Sequence, residues 1–392
     1  MATVLTLNAG SSSLKFSLYE IDAGCAGRFL LGGQWAGIGH QPSFTANIGG
    51  KPYEGAPPQG NPPIDPRTAL VSAHKWLVDQ GINIDEIAAT SHRIVHGGTT
   101  FSAPCVIGDQ QRVALDLIQR LAPLHVPHGL AVLDEIRAHF PHIPHIACFD
   151  TAFHTTQPDA ATRLPLPQRF HDKGYRRYGF HGLNYEHIVD TFTDTTARPL
   201  PSRLLVFHLG NGCSATAIHN GMSVATTMGF TPLDGLVMGT RTGSIDPGVL
   251  LALMRDEGLD HDALEILLYK QSGLLALSEL SSDMKTLLAS NDKNAKRAVE
   301  HFCYWAARHA GSLITAMGGL DAIVFTGGIG ENASAVREKI VSHLSWLGAT
   351  LDQKQNAANA TQLSGSNSQL TIWRIPANEE LTLARHATNF IS

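Results

Sequence analysis

A strand, a polar turn and a second strand occur twice in this chain, near residues 3–21 and near 203–219. Residues 3–9 (TVLTLNA) read as a buried strand bounded by Gly10 and three serines, with the turn at Ser11 to Ser13. Residues 14–21 then alternate apolar and polar like a half-buried strand. In the second copy RLLVFHLG at 203–210 is followed by a turn at Asn211 and Gly212 and by a strand at 214–218. The pair Asn220-Gly221 is a hairpin signal leading into a third strand, 222–226.

Each copy continues into helical patterns alternating with short apolar strands. The first has helices near 67–80, 111–121 and 129–139 and strands at 87–95 and 143–149. The second has long helical patterns at 247–270 and 293–317, a strand at 321–326, a glycine turn GGIGEN, a helix at 333–346, a strand at 370–375 and a helix from about 379. This pattern predicts a two-fold α/β duplication without close sequence identity, its boundary near 150–200 and its last helix packed back on the first half. Residues 51–66, rich in Pro and Gly, read as an exposed excursion.

A length of 392 residues suits two or three domains, and 43% hydrophobic residues argue against a disordered chain. Lys plus Arg number 29 against 34 Asp plus Glu, so the net charge of −5 provides no general attraction for nucleic acid or anionic membrane. The five cysteines, Cys25, Cys105, Cys148, Cys213 and Cys303, form no Cys-x-x-Cys pair, which argues against a zinc knuckle or a disulfide scaffold. Of the 20 histidines, His125, His128, His139, His142 and His145 have ligand-like spacing, but Pro141 and Pro144 keep the last three off one helical face. The opening MATVLTLNAG lacks the basic start and apolar core of a signal peptide, and no apolar run approaches the ~20 residues of a membrane helix. A cytoplasmic location is therefore expected.

Three glycine turns follow strands, at Asn8 to Ser13, Gly210 to Ser214 and Gly327 to Asn332. Such turns expose successive backbone N–H groups, and their small residues let an anion approach. None matches the Walker pattern, and Gly328-x-Gly330 lacks the third glycine of the dinucleotide fingerprint. Three of them in a duplicated α/β frame nevertheless point to a phosphate binder. Arg93 in SHRIVHGG and Arg241 in MGTRTG stand beside glycines at a strand end or in a loop, where ligands of α/β proteins bind. A guanidinium fork matches the paired oxygens of carboxylate and phosphate. Asp150, after the strand HIACF, reads either as an N-cap or as a catalytic carboxylate. Glu379 and Glu380 open the last helix, where dipole complementarity alone explains an acid.

The segments LTLNAGSSSLKFSL, GFHGLNYE (179–186), HLGNG (208–212), TPLDGLVMGTR (231–241) and FTGGIGENA (325–333) together resemble the signatures of acetate kinases, in order and nearly end to end. The resemblance implies an α/β chain with the duplicated actin-like ATPase (ribonuclease H-like) fold of the sugar kinase, Hsp70 and actin superfamily. It implies two domains with the active site in the cleft between them. Residues 1–150, joined by the C-terminal helix at about 379–392, would form the acyl-substrate and phosphate domain, and 151–378 the nucleotide-binding domain. It further implies reversible phosphoryl transfer from ATP to acetate with Mg²⁺, or Mn²⁺ in its place, and a homodimer.

Carried over by motif, Asn8 and Glu379 would help hold the metal. Lys15 and His208, Leu209, Gly210, Asn211 and Gly212 would bind the nucleotide phosphates. Asp283, Met284 and Lys285, with Gly328, Ile329, Gly330, Glu331 and Asn332, would surround the adenosine. Arg93 would bind the substrate carboxylate, and Val95, Leu124, Phe180 and Pro232 would line the acyl pocket. Asp150 would be the active-site acid, and His181 and Arg241 would stabilise the transition state. An acceptor carboxylate titrates near ~4 and is already ionised at neutral pH, so Asp150 is expected to position rather than to remove a proton.

The sequence departs from the family pattern at Val126, where Asn is common, at Thr242 and Ser244 in the stretch after Arg241, and at Lys285, where Arg is usual. Propionate kinase is the close alternative, because one methylene in an apolar pocket is worth only ~1–3 kcal/mol. A nucleotide-driven assembly or chaperone module would need a peptide-binding extension or polymer contacts, and a sugar kinase would use Asp150 as a base and need a polar pocket.

Overall fold

The computed structural model describes residues 2–10, 12–22, 25–58, 60–123 and 126–391. They form two compact units, 1–152 with 378–392, and 153–377.

The first unit is built on an eight-stranded sheet: β1 (Ala2–Ala9), β2 (Ser13–Asp22), β3 (Cys25–Ala36), β4 (Ser43–Ile48), β5 (Lys51–Pro52), β6 (Ile87–Ile94), β7 (Cys105–Val106) and β8 (His145–Phe149), in the order β5-β4-β3-β2-β1-β6-β8-β7. Strand β1 lies antiparallel to β2 and parallel to β6, and β6 is parallel to β8. Both faces of β1 are covered, which is why its centre reads as a continuous apolar run. On one face Leu5, Leu7 and Phe16 pack against α1 (Pro66–Asp79) and α3 (Val126–His139), with α2 (Asp109–Ile118) between them in the chain. Helix α1 starts with Pro66 at its first position, and Asp65 and Thr68 cap it reciprocally. The C-terminal helix, Glu379–Thr388, packs on β1, β2, β3, β6 and β8.

The second unit holds β9 (Arg203–Leu209), β10 (Cys213–His219), β11 (Met222–Thr226), β12 (Ala322–Thr326) and β13 (Thr371–Arg374), in the order β11-β10-β9-β12-β13. The pairings β9–β10 and β10–β11 are antiparallel, and β9–β12 and β12–β13 are parallel. This repeats β3-β2-β1-β6-β8 strand for strand, so the duplication is one of topology. Helix α4 (Gly182–Thr196) covers one face through Tyr185, Ile188 and Phe192. The chain then runs through α5 (Pro247–Asp256) and α6 (His261–Lys270) to α7 (Lys293–Met317), which packs on β9, β10 and β11. Among the described residues no helix is long and apolar enough to cross a membrane.

Several local expectations need correction. The stretch 247–270 is two helices, because Gly258 turns the chain at φ 67° and Asp260 caps a fresh start. GGIGEN is a short helix, Gly327–Asn332, that leaves β12 directly. Gly327 has φ 77°, and a Cβ there would stand 2.7 Å from the Leu209 carbonyl oxygen. Strands β3 and β4 were not anticipated. Gly32 and Gly33 break the alternation of β3, and side chains there would strike Phe16, Ser17 and Phe44. Ser11, in the first glycine turn, lies outside the described residues. That turn closes with the Gly10 N–H donating to the Ser13 carbonyl (2.9 Å).

Candidate active site

In the first unit, Asn8, Arg93 and Asp150 stand at or just past the C-terminal ends of the neighbouring parallel strands β1, β6 and β8. Adjacent parallel strands bring these three together although 57 residues separate Arg93 from Asp150. Arg93 Nε donates to Asp150 Oδ1 (3.0 Å) and Oδ2 (3.1 Å), and Nη2 donates to Oδ2 (2.5 Å). Its Nη1 donates to Asn8 Oδ1 (3.0 Å). Asn8 Nδ2 donates in turn to Glu379 Oε2 (3.1 Å), which also lies 3.6 Å from Arg93 Nε. Asp150 has no exposed surface. Burial works against the charge of Arg93, but Asp150 and Glu379 overcome it and hold its pKa above the ordinary arginine value.

Lys15 Nζ donates to Glu380 Oε2 at 2.6 Å. Asn378 starts the C-terminal helix by accepting from the Leu381 N–H (3.1 Å), which places Glu379 and Glu380 in its first turn. Val95 follows β6 by one residue and is buried; Leu124 lies outside the described residues. Three carboxylates and an amide thus face two cations, a hard-oxygen set with net negative charge.

In the second unit the residue before α4, His181, takes a left-handed conformation at φ 60°. Its ring stacks on that of His208, with centroids 4.1 Å apart and planes at 23°. His208, at the end of β9, receives the Asn184 side-chain amide at Nδ1 (2.8 Å). A Cβ on Gly212 would stand 3.3 Å from His181 Nε2 and 3.8 Å from Arg241 Nη1, so the glycine is what lets these groups converge. Arg241 Nη1 donates to the Pro232 carbonyl (3.0 Å), and its guanidinium lies over the Tyr269 ring. Phe180 and Pro232 are buried beside these residues in the chain.

A cavity of about 730 Å³ opens in the same unit. It gathers Gly210, Asn211, Asp283, Met284, Lys285, Gly328, Ile329 and Asn332 from the sequence-derived set, together with Ser282, Leu288 and Ala333. Its size suits a nucleotide. Asp283 caps the short helix Met284–Ala289 by accepting from Thr286, whose bonds hold its carboxyl below the usual range. Lys285, next along, is exposed.

Not every predicted residue faces this cavity. The Leu209 side chain is buried in β9, and Gly330 packs into the helix start. Glu331 turns back, and its Oε1 accepts the backbone N–H groups of Gly327 (3.0 Å) and Ala377 (2.9 Å). Sequence reasoning missed Arg337, which is fully buried and donates to the carbonyls of Gly330 (2.9 Å) and Glu331 (3.0 Å) and to Asn356 and Asn359. It fixes the end of the Gly327–Asn332 helix. Its one signal in the sequence is a charge on the otherwise apolar face Val336, Ile340 and Val341.

The acetokinase family profile matches residues 3–385. The chain is 43% identical over 389 residues to the acetate kinase of Rhodopseudomonas palustris, covering 98% of this chain and 97% of that one. It is 39% identical to the acetate kinase of Rickettsia felis, covering 99% of each. Among solved structures it resembles a propionate kinase from Francisella tularensis (TM-score 0.89, 34% identity, 98% and 99% covered) and the Porphyromonas gingivalis acetate kinase (TM-score 0.88, 32% identity, 100% of each). The duplicated α/β frame is thus that of the actin-like ATPases, and the chain belongs to the acetokinase family.

Proposed function

We propose that this protein is an ATP:acetate phosphotransferase, converting acetate and ATP to acetyl phosphate and ADP reversibly. The observation that carries the reading is the anchored guanidinium of Arg93. Three of its five N–H groups are committed to Asp150 and Asn8, leaving one on each terminal nitrogen. That remaining edge has the fork geometry a small carboxylate accepts. The acceptor carboxylate is ionised at neutral pH and requires no base, so Asp150 serves by orienting Arg93.

The nucleotide would occupy the cavity between the Gly210–Asn211 turn and the short helix Gly327–Asn332, with Lys285 at its rim. His181 and Arg241 would donate hydrogen bonds to the oxygens of the moving phosphoryl group, in a loose transition state that depends on positioning and charge. A divalent cation fits the oxygen set of the first unit. Among the described residues no three His, Cys, Asp or Glu side chains are grouped to hold a metal alone. Mg²⁺ instead takes one or two carboxylates and completes its shell with phosphates and water. Glu379 and Asn8 would hold it, and bound Mg²⁺ would neutralise phosphate charge.

Propionate is the second reading, favoured by the similarity to the Francisella propionate kinase; Val95, two residues from Arg93, would then stand beside one more methylene. ADP release measured on acetate, propionate, butyrate and glycerol tests the acceptor. Acetate should give the highest kcat/KM and glycerol none. A preference for propionate would replace acetate in this reading, and a preference for glycerol would remove it.

A homodimer is also part of the proposal. Helix α5 has no buried residue, and Leu251 and Met254, three residues apart on one side of it, are 67% and 47% exposed, an apolar patch suited to a second copy. A cytoplasmic setting, where ATP is at hand, agrees with the free thiols of Cys105, Cys148, Cys213 and Cys303.

A further inference from the structure

Two residues to which the sequence assigns no role of their own lie directly behind His181. Ser214, in β10, and Tyr185, one turn into α4, are both fully buried. Ser214 Oγ stands 2.8 Å from His181 Nδ1 and 2.5 Å from Tyr185 Oη. The backbone ties Tyr185 to His181 as well, since its N–H donates to the His181 carbonyl (3.2 Å). Three polar atoms are therefore strung in a line, and each oxygen has one proton to give.

The line has two consistent polarities. Either the phenol donates to Ser214 and Ser214 donates to Nδ1, or Nδ1–H donates to Ser214 and Ser214 donates to the phenol. The first puts the imidazole proton on Nε2 and the second puts it on Nδ1. A phenol is the stronger acid and the weaker acceptor of the two hydroxyls, so the contact between them favours the phenol as donor and the alkyl hydroxyl as acceptor. The reverse polarity would require the phenol to accept from Ser214 and to direct its own proton elsewhere. Thr216, farther along β10, gives its own proton to Thr226 Oγ1 (2.8 Å), since Thr226 donates to the Ala215 carbonyl (3.1 Å), and so offers the phenol an acceptor; the reverse polarity is therefore the competing arrangement, in which the weaker acid, Ser214, donates to the poorer acceptor, the phenol. Burial also pushes the phenol of Tyr185 up, so its proton stays in place at every working pH.

We propose that Tyr185 and Ser214 are positioning residues that fix His181 as the neutral tautomer protonated at Nε2. That nitrogen is the one nearest Gly212, on the side where Arg241 Nη1 also lies. The relay presents a neutral N–H donor there and removes the need for His181 to be protonated. Stacking on His208 acts in the same direction, since two imidazolium rings 4.1 Å apart would repel. The inference rests on the reading of His181 as a donor to the phosphoryl group; the tautomer itself does not.

The test is ¹⁵N NMR of histidine-labelled, otherwise unmodified protein, with a His181→Gln sample to assign the signal, combined with steady-state kinetics. The wild type should show a proton on Nε2 and none on Nδ1. Ser214→Ala should lose that single tautomer and lower kcat about tenfold, the effect of one hydrogen bond in a transition state, with KM for acetate and ATP within about twofold. Tyr185→Phe should shift the same resonance and lower kcat less. A wild-type proton on Nδ1 would overturn the proposal, and so would a Ser214→Ala enzyme with unchanged tautomer and unchanged kcat. A wild type that shows the Nε2 tautomer yet forms no acyl phosphate would support the relay while removing the proposed activity, so the two claims fail separately.

Discussion

Asp150 and Arg93 form a fully committed pair: the carboxylate has no exposed surface, and both Nε and Nη2 of the guanidinium donate to it. The arrangement fixes the plane of the guanidinium and therefore the direction of its outer edge. Asp150→Asn retains one acceptor oxygen and should raise the KM for acetate about tenfold while turnover falls less. Arg93→Ala removes the edge itself and should lower kcat by about 10²-fold or more, as should Arg241→Ala. Kinetics on variants with native circular dichroism check this, and near-normal turnover in either arginine variant would take that residue out of the site.

Gly212 offers a sharper steric test. Its backbone is not in the left-handed region, so alanine is conformationally acceptable. The added methyl would stand 3.3 Å from His181 Nε2 and 3.8 Å from Arg241 Nη1. Gly212→Ala should melt within a few degrees of wild type and lose at least about tenfold in kcat, because a small misplacement of these groups is costly. Equal losses of melting temperature and activity would mean a packing defect.

Lys285 should loosen base selection. It is an exposed point charge on a flexible stem at the cavity rim, without the planar fork that arginine would set against a ribose or a base. GTP and ITP should be used within roughly an order of magnitude of ATP, and Lys285→Arg should sharpen the preference for ATP. Competition kinetics with the three nucleotides decide the matter; strong rejection of GTP by the wild type would contradict it.

The buried histidines give stability a pH dependence. Burial pushes His154 down to about 4, His96 to about 4 and His92 to about 3. The unfolded chain protonates these groups near the ordinary value of ~6.5, so below that pH it binds more protons than the native state. Stability is full above about 6.5 and is lost as pH falls towards 4, by about 2 kcal/mol per histidine at pH 5. His154 Nε2 donates to the Phe180 carbonyl (2.9 Å), and Ser223 Oγ lies 2.9 Å from its Nδ1. His154→Gln should therefore lower stability at pH 8 and reduce the loss between pH 7 and 5. Urea titrations across that range measure both slopes.

Much of this molecule is legible in its sequence because its central strands β1 and β9 are buried on both faces and end in glycine turns. The breaks are harder to read. Gly258 ends α5 within a pattern that stays periodic through 270, and the glycines of GGIGEN form a helix because Gly327 takes a conformation that lets the chain turn straight out of β12. The site divides in the same manner. Asn211 and Gly328 lie in glycine turns visible in the sequence, and Lys285 is reached through the family resemblance. Tyr185, His154 and Arg337 do not, and each acquires its role from partners that the fold brings to it; Ser214 closes the second glycine turn, but nothing in that turn marks its contacts with His181 and Tyr185.

Detection of acetyl phosphate itself tests the central claim most directly. Purified protein with ATP, Mg²⁺ and acetate should yield a hydroxylamine-trappable acyl phosphate in amounts equal to the ADP formed. The same protein with acetyl phosphate and ADP should yield ATP. ADP release without a trappable acyl phosphate, or phosphate transfer to an alcohol in preference to acetate, would contradict the account.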